Sequence, residues 1–472
     1  QSTSLTLVII ISLIFAILGL YHSKKFQGIN NYLTANRNIG LFSLTTSLVA
    51  SALGAWILFG PAAASTWGGL GAVIGYSLGT AFPMIFLIYL GKKIRNEFPR
   101  GSSLIEFMRK KFGKSLFKLI LLMTIFYMFI FLCAEVTAVA VLINYISGTE
   151  LWITALIVLF ATLSYTLYGG LRASIFTDNI QMIVIGVLLV VSVSYIISFT
   201  ENEFSFAFIE EKNPQLLSSS YIPNYTAGLT FFIAVAATNL FHQGNWQRVY
   251  AAKDYQTLKK SLIISFFIIV PIVFFMGFAG MVSFSINPGN RPDLGFFSLL
   301  LKERSELLSL IIVILGLALT ISTVDTLINA ISSLFVVDGK ATFNLNKKTD
   351  YLKLSKYFII FLSLIAFIIA SKGFDVLYLF LLADLFCCAF VFTVFYSFYN
   401  KGINEKTAYI SIVVGLLGGF LMFPFPDFSK SLLVGILIPK EMFAPFVVQS
   451  LLFLSFIVAT FLPVIILKIK KS

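Results

Sequence analysis

Thirteen apolar runs, each long enough to cross about 30 Å of hydrocarbon, follow one another along the chain with short polar stretches between them. Their approximate limits are 5–21, 43–66, 70–91, 116–147, 151–168, 179–199, 227–245, 261–284, 306–337, 357–371, 374–399, 407–424 and 444–467. The longest stretch outside them, about 200–226, carries Glu201, Glu203, Glu210 and Glu211. The pattern predicts an all-α membrane protein of about thirteen transmembrane helices, with no soluble domain between them. Composition agrees: 58% of the 472 residues are hydrophobic and 12% charged, more apolar surface than a soluble fold of this length hides. Basic residues (Lys24, Lys25) follow the Leu5–Tyr21 run rather than precede it, which predicts a retained helix and not a cleaved secretory signal. Gln1 in place of Met points to N-terminal trimming or engineering.

Two of the runs look broken. In the second, Ser47-Leu-Val-Ala-Ser-Ala-Leu-Gly54 is followed by Gly60-Pro61 and Gly68-Gly69. Proline and clustered glycine free carbonyls that lipid cannot satisfy, so such a segment must line a protein cavity. The seventh run is short and ends in the polar cluster Asn239-Leu-Phe-His-Gln-Gly-Asn-Trp-Gln-Arg248. With the first run set aside, these are the leading members of two successive groups of five. Discontinuous helices at matching positions of two halves point to an inverted-repeat transporter with its site near the midplane. The alternative is that the small residues only allow close helix packing.

Polar residues enter the apolar runs at two further places. Between the fifth and sixth runs lies Tyr168-Gly-Gly-Leu-Arg-Ala-Ser-Ile-Phe-Thr-Asp-Asn-Ile-Gln181. Asp178 and Gln181 share a helix face there, and an intramembrane carboxylate is a functional candidate. The alternative role for Asp178 is an ion pair with Arg172. In the ninth run Ser322, Thr323, Asp325, Thr326, Asn329 and Ser333 recur at three- and four-residue steps along one face. Hydroxyls and a carboxylate are hard oxygen ligands suited to Na⁺. The bland account, hydroxyls bonding the preceding turn's carbonyls, leaves Asp325 without a role.

Basic residues orient the chain. With the N-terminus outside, 27 of the 34 Lys and Arg fall in inner loops; Lys212, Arg291, Lys302, Arg304, Lys372, Lys430 and Lys440 do not. This predicts a multi-pass protein of the cell (inner) membrane with its N-terminus outside and its C-terminus cytoplasmic. The net charge of +13 is then topology, with anionic lipid as its partner rather than nucleic acid. Cys133, Cys387 and Cys388 lie in apolar runs and are expected to pack, not to bridge or to bind metal.

Several of these segments resemble the sodium:solute symporter family. They are the Gly-Gly-Leu-x-Ala-x-x-x-Thr-Asp-x-x-Gln spacing, Leu48-Val-Ala-Ser-Ala-Leu-Gly-Ala55, and Ile321-Ser-Thr-Val-Asp-Thr-Leu-Ile-Asn-Ala-Ile-Ser-Ser333. Trp246-Gln-Arg-x-x-Ala-Ala252 looks nearest to the urea-transporting branch. The resemblance implies one transporter domain over 1–472. Its inverted repeats would cover 43–199 and 227–399, after one leading helix, with peripheral helices in 400–472. It also implies a sodium site built from the carbonyls of Ala50, Leu53 and Leu319 with the hydroxyls of Ser322 and Thr323. A further sodium site of some members would involve Asp178, Ser322, Asp325 and Thr326, although Asp325 and Thr326 stand where that site has a hydroxyl pair.

The expected function is sodium-coupled uptake of a small polar solute by alternating access, with no enzymatic motif and no obligate protein partner. Four interior carboxylates (Glu135, Asp178, Asp325, Asp384) and no Lys or Arg away from the membrane edges favour a neutral or cationic solute, such as urea or an amino acid. Trp56, Tyr76, Glu135, Asn239 and Gln243 are the candidate contacts, the two amides offering both donors and acceptors. His242 reads as a hydrogen-bonded structural histidine. The alternatives are an uncoupled channel or facilitator, or a sodium symporter for sugars or monocarboxylates.

Overall fold

The computed structural model describes residues 2–289, 291–301, 305–343, 350–400, 402–428, 430–439 and 447–469. Residues 444–446 of the expected last span lie outside this set. So do Lys302, Arg304, Lys347, Lys348, Lys401, Lys440, Lys470 and Lys471 of the charge census. The thirteen runs appear as helices or parts of helices, named here in chain order. They begin with α1 (Ser2–Lys25), α2 (Leu41–Ala52), α3 (Gly60–Glu97), α4 (Lys114–Ser147) and α5 (Leu151–Thr200). Next come α6 (Ile222–Phe241), α7 (Gln243–Ala251), α8 (Tyr255–Ile286) and α9 (Glu306–Leu334). The last are α10 (Tyr351–Ala370), α11 (Val376–Ser397), α12 (Glu405–Met422) and α13 (Val447–Ile469). Helix α5 contains two spans, and α3 joins the second part of the broken second span to the third. Both α3 and α5 reverse sharply at a glycine with left-handed backbone, Gly69 (φ 55°) and Gly170 (φ 58°), a conformation that side-chain-bearing residues rarely adopt.

Both expected interruptions are present. Helix α2 stops at Ala52, the chain runs extended through Gly54, makes one tight turn over Ala55–Leu58, and re-enters helix at Gly60 with Pro61 in the first turn, where a missing N–H costs nothing. Helix α6 stops at Phe241, and His242 (ψ 107°) is the single non-helical residue before α7 begins. The packing account of the glycines also holds, at different residues. A Cβ on Gly71, Gly75 or Gly79 would run into the backbone of Asn224, Gly228 or Phe231 and Phe232 on α6. Four-residue glycine spacing therefore brings the second half of α3 against α6, while Gly54 serves the break.

Helices α9 and α11 lie deepest, with 72% of their most apolar windows buried, against 28% for α10. Helix α1 packs on α5, and α12 and α13 pack on each other and on α11. The result is an all-helical five-plus-five core with one leading and two trailing helices. The two broken helices pass through its middle.

Candidate functional site

Four segments meet at a fully buried ion pair. Just past the Gly170 reversal, α5 presents Asp178, and Arg248 Nη2 donates to its Oδ2 at 2.8 Å. Ser47 of α2 also donates to Oδ2 (2.6 Å), and Ser322 of α9 donates to Oδ1 (2.8 Å). The remaining guanidinium nitrogens donate to Ser47 Oγ (2.7 Å) and to the Gly244 carbonyl (3.0 Å), while Nη2 also reaches Thr326 Oγ1 (3.0 Å). One side chain thus ties α2, α5, α7 and α9 together. A planar guanidinium suits this because its donors are fixed in a fork.

This rules out the alternative role for Asp178 and overturns one expectation. Asp178 does not pair with Arg172, whose side chain donates to the Ala35 carbonyl (3.0 Å) and lies over the Phe26 ring. Nor is the interior free of arginine. Arg248 is fully buried because the helix resumes after His242 instead of ending in a loop. Asp325 lies in the same cluster and receives Tyr165 (2.5 Å), Ser174 (2.7 Å) and Thr177 (3.1 Å). Arg248 pairs with Asp178 alone, and Asp325 is held by hydroxyls.

The first break is held from outside. Glu135 of α4 accepts from the backbone N–H of Ala55 (2.9 Å) and of Trp56 (3.4 Å), the free donors at the start of a helical turn, where a carboxylate is favoured. Behind it, a Cβ on Gly54 would crowd the Glu135 carboxylate and lie 2.8 Å from Thr323 Oγ1. That hydroxyl is buried and has no hydrogen-bond partner among the described residues. The end of α2 leaves last-turn carbonyls, Ala50's included, without intrahelical donors. The unpaired hydroxyl stands against Gly54, two residues past the end of α2, and hydroxyl and carbonyl oxygens suit a hard monovalent cation.

A small cavity of about 20 Å³ lies between the two breaks, room for about one water. Trp56, Tyr76, Phe131 and Phe380 form its aromatic walls; Asn239, His242 and Asp384 contribute its polar ones. Trp56 stacks on Tyr76 with ring centres 5.5 Å apart, and Phe131 meets Phe380 edge-on at 4.8 Å. Thr238 donates to Asp384 Oδ1 at 2.6 Å. Of the expected contacts, Trp56, Tyr76 and Asn239 line the cavity. Glu135 sits behind Gly54 instead, and Gln243 turns away to donate to the Ser102 carbonyl at 2.8 Å. His242 Nδ1 accepts from Gly244 N–H (3.1 Å) and caps α7, while its Nε2 has no hydrogen-bond partner among the described residues.

A wider cavity of about 390 Å³ is lined by Ala63 and Trp67 of α3 and by Leu377, with Asp293 and Asp375 at its rim. Arg291 pairs with Asp293 at 2.6 Å, and that hydrogen bond holds the guanidinium above its usual range. Leu377, Phe380 and Asp384 stand three and four residues apart on α11, so they form one stripe along its face. The stripe leads from the wide cavity, past the aromatic layer, to the narrow one.

Sequence reasoning missed Phe131, Phe380, Tyr165, Ser174, Thr177 and Ser47. The last four are short-range polar residues in apolar runs, and only their convergence on two carboxylates distinguishes them from helix-packing hydroxyls.

The family described as the sodium:solute symporter family matches residues 32–415. The chain is 24% identical over 408 residues to the spermidine transporter DUR31 of Candida albicans, covering 84% of this chain and 76% of that protein. It is 23% identical over 479 residues to sodium/glucose cotransporter 4 of Mus musculus, covering 88% and 68%. Its fold is similar to that of a Na⁺-coupled sialic acid symporter in a substrate-bound outward-open state, with a TM-score of 0.74 and 16% identity over 99% of this chain and 96% of that one.

Proposed function

We propose that this chain, which belongs to the sodium:solute symporter family, uses a sodium gradient to take up a small polar organic solute, neutral or cationic, by alternating access. The family and its structural neighbours are transporters, not enzymes. The observation that carries the reading is the unpaired, buried Thr323 hydroxyl against Gly54 of the first break.

In this reading Na⁺ takes the carbonyls of Ala50, Leu53 and Leu319 with the hydroxyls of Ser322 and Thr323. Ser322 can offer its lone pairs to the ion while its proton stays on Asp178, so ion binding is felt directly at the Asp178–Arg248 pair. Asp178 then acts as a relay between ion and helix movement rather than as a solute contact. At the further site, Arg248 supplies among Asp178, Ser322, Asp325 and Thr326 the positive charge that a second sodium ion would bring. The solute lies in the cavity between the breaks, against Trp56, Tyr76 and Asn239. The repeats span 43–199 and 227–399, and the chain lies in the inner membrane with its N-terminus outside, its inner loops facing anionic lipid.

The test is uptake of radiolabelled solutes (urea, amino acids, amines, sugars, monocarboxylates) by proteoliposomes with and without a sodium gradient. Uptake of a neutral or cationic solute that rises with inward sodium is expected. The double substitution Ser322→Ala, Thr323→Ala is expected to abolish the sodium stimulation while leaving expression intact. Undiminished sodium dependence in that variant sinks the assignment of the ion site.

A further inference from the structure

The interior holds more acid than base. Among the described residues the ion pairs are Lys93–Glu97, Lys212–Glu211, Arg291–Asp293 and Arg248–Asp178, so Glu135, Asp325 and Asp384 have no basic partner. Lone carboxylates in a membrane interior are costly and mark a pathway or a ligand. Two of the three are already occupied by donors. Glu135 holds the Ala55 and Trp56 N–H groups, and Asp325 holds four hydroxyls.

Asp384 differs. It accepts one hydrogen bond, from Thr238 to Oδ1, and its Oδ2 has no hydrogen-bond partner among the described residues. It also borders the narrow cavity, within which Trp56, Tyr76, Phe131 and Phe380 supply the aromatic wall. One carboxylate with aromatic rings around it is the chemistry that recognises an organic cation, because the rings' negative faces add to the carboxylate's field. The space beside it admits a group about the size of one water, which fits a primary ammonium and is too small for a trimethylated one.

We infer that the solute is a primary alkylamine, such as a diamine, whose ammonium group docks on Asp384 within this aromatic enclosure. The stripe on α11 supplies its route: the acidic rim at Asp293 and Asp375 lies at the wide cavity, and Phe380 separates that cavity from Asp384. Arg291 covers part of the rim by pairing with Asp293, while Asp375, which caps α11 by accepting from Tyr378 N–H (2.7 Å), has no ion-pair partner among the described residues.

This inference rests on the symporter reading, and one set of titrations tells their failures apart. The purified full chain is titrated with 1,4-diaminobutane, with its neutral counterpart 1,4-butanediol, and with choline, following thermal stabilisation with and without Na⁺. The diamine is expected to stabilise the protein more than choline does, and the diol not at all. Asp384→Asn is expected to weaken diamine binding at least about tenfold while leaving stabilisation by Na⁺ alone unchanged. Phe380→Leu keeps the carboxylate and is expected to weaken diamine binding severalfold; it decides the matter if the Asn variant does not fold. Equal binding of diol and diamine, stronger binding of choline, or unchanged diamine affinity in both variants overturns the inference. Diamine binding indifferent to Na⁺ would leave the inference standing and remove the coupling. Sodium-driven uptake of a neutral solute, with the diamine inert, would do the reverse.

Discussion

The two broken helices solve the same problem in different ways. Each must satisfy backbone groups that a continuous helix would have paired, in a medium with no water to help. At the first break the donors of Ala55 and Trp56 are met by Glu135, eighty and seventy-nine residues away on α4. At the second, His242 closes its own break by accepting from Gly244. The first break is therefore only as firm as the contact between the Ala55–Leu58 turn and α4, whereas the second is self-contained. What the second break exports is Arg248, six residues past His242, which fastens α2, α5 and α9 together. A locally closed break that clamps its surroundings suits a gate. A break completed by another helix, beside an unpaired hydroxyl, suits a site that responds to a ligand.

The strongest way to break this contrast is at Arg248. Arg248→Met removes the clamp and leaves Asp178 buried without its cation. Destabilisation of about 3–5 kcal/mol is expected, read as a large fall in the thermal-unfolding midpoint together with loss of uptake. Adding Asp178→Asn removes the stranded charge and is expected to recover much of the stability but not the transport. If Arg248→Met unfolds at the wild-type temperature, the clamp is not what holds the four segments.

A smaller effect is expected at the first break. Glu135→Gln keeps the shape but replaces one of two acceptor oxygens by an NH₂ group that faces backbone donors. A loss of about 1–3 kcal/mol is expected. Because Thr323 stands against the same Gly54, the apparent sodium affinity for uptake should fall as well. A stability loss with unchanged sodium affinity would separate Glu135 from the ion site and blur the distinction between the two breaks.

How much of this was legible beforehand follows from the range of the interactions. The breaks could be read because glycine and proline act locally: Gly54, Pro61 and the polar run after Asn239 mark them without reference to other helices. Asp178 and Asp325 could be singled out because a carboxylate in an apolar run is anomalous on its own. The partners could not be read, since Arg248 and Asp178 are seventy residues apart and an arginine at the end of a polar cluster looks like a loop charge. The direction of Gln243 could not be read for a related reason. Its amide is equipped to hold a solute, but the direction in which α7 restarts turns it onto the Ser102 carbonyl. Glu135 was recognised as unusual, yet its role as a cap depends on how α4 lies against the first break, which no local pattern encodes.

The smallest expected effect sharpens the comparison most. If the second break is self-contained, His242 contributes little beyond a helix cap, and His242→Ala should cost about 1 kcal/mol, the usual value of such a cap. His242→Asn, whose side-chain oxygen can accept from the same N–H, should recover most of that loss. His242 also borders the cavity and meets Phe131 edge-on, with ring centres 6.1 Å apart, so the alanine variant enlarges the solute space as well as removing the cap. The two consequences separate in the measurement. Loss of the cap lowers the unfolding midpoint in Ala but not in Asn, whereas the enlarged cavity changes solute affinity in both. A midpoint that falls equally in the two variants would mean that the imidazole ring itself, packed on Phe131, holds the break. The second break would then depend on a neighbouring helix as much as the first does.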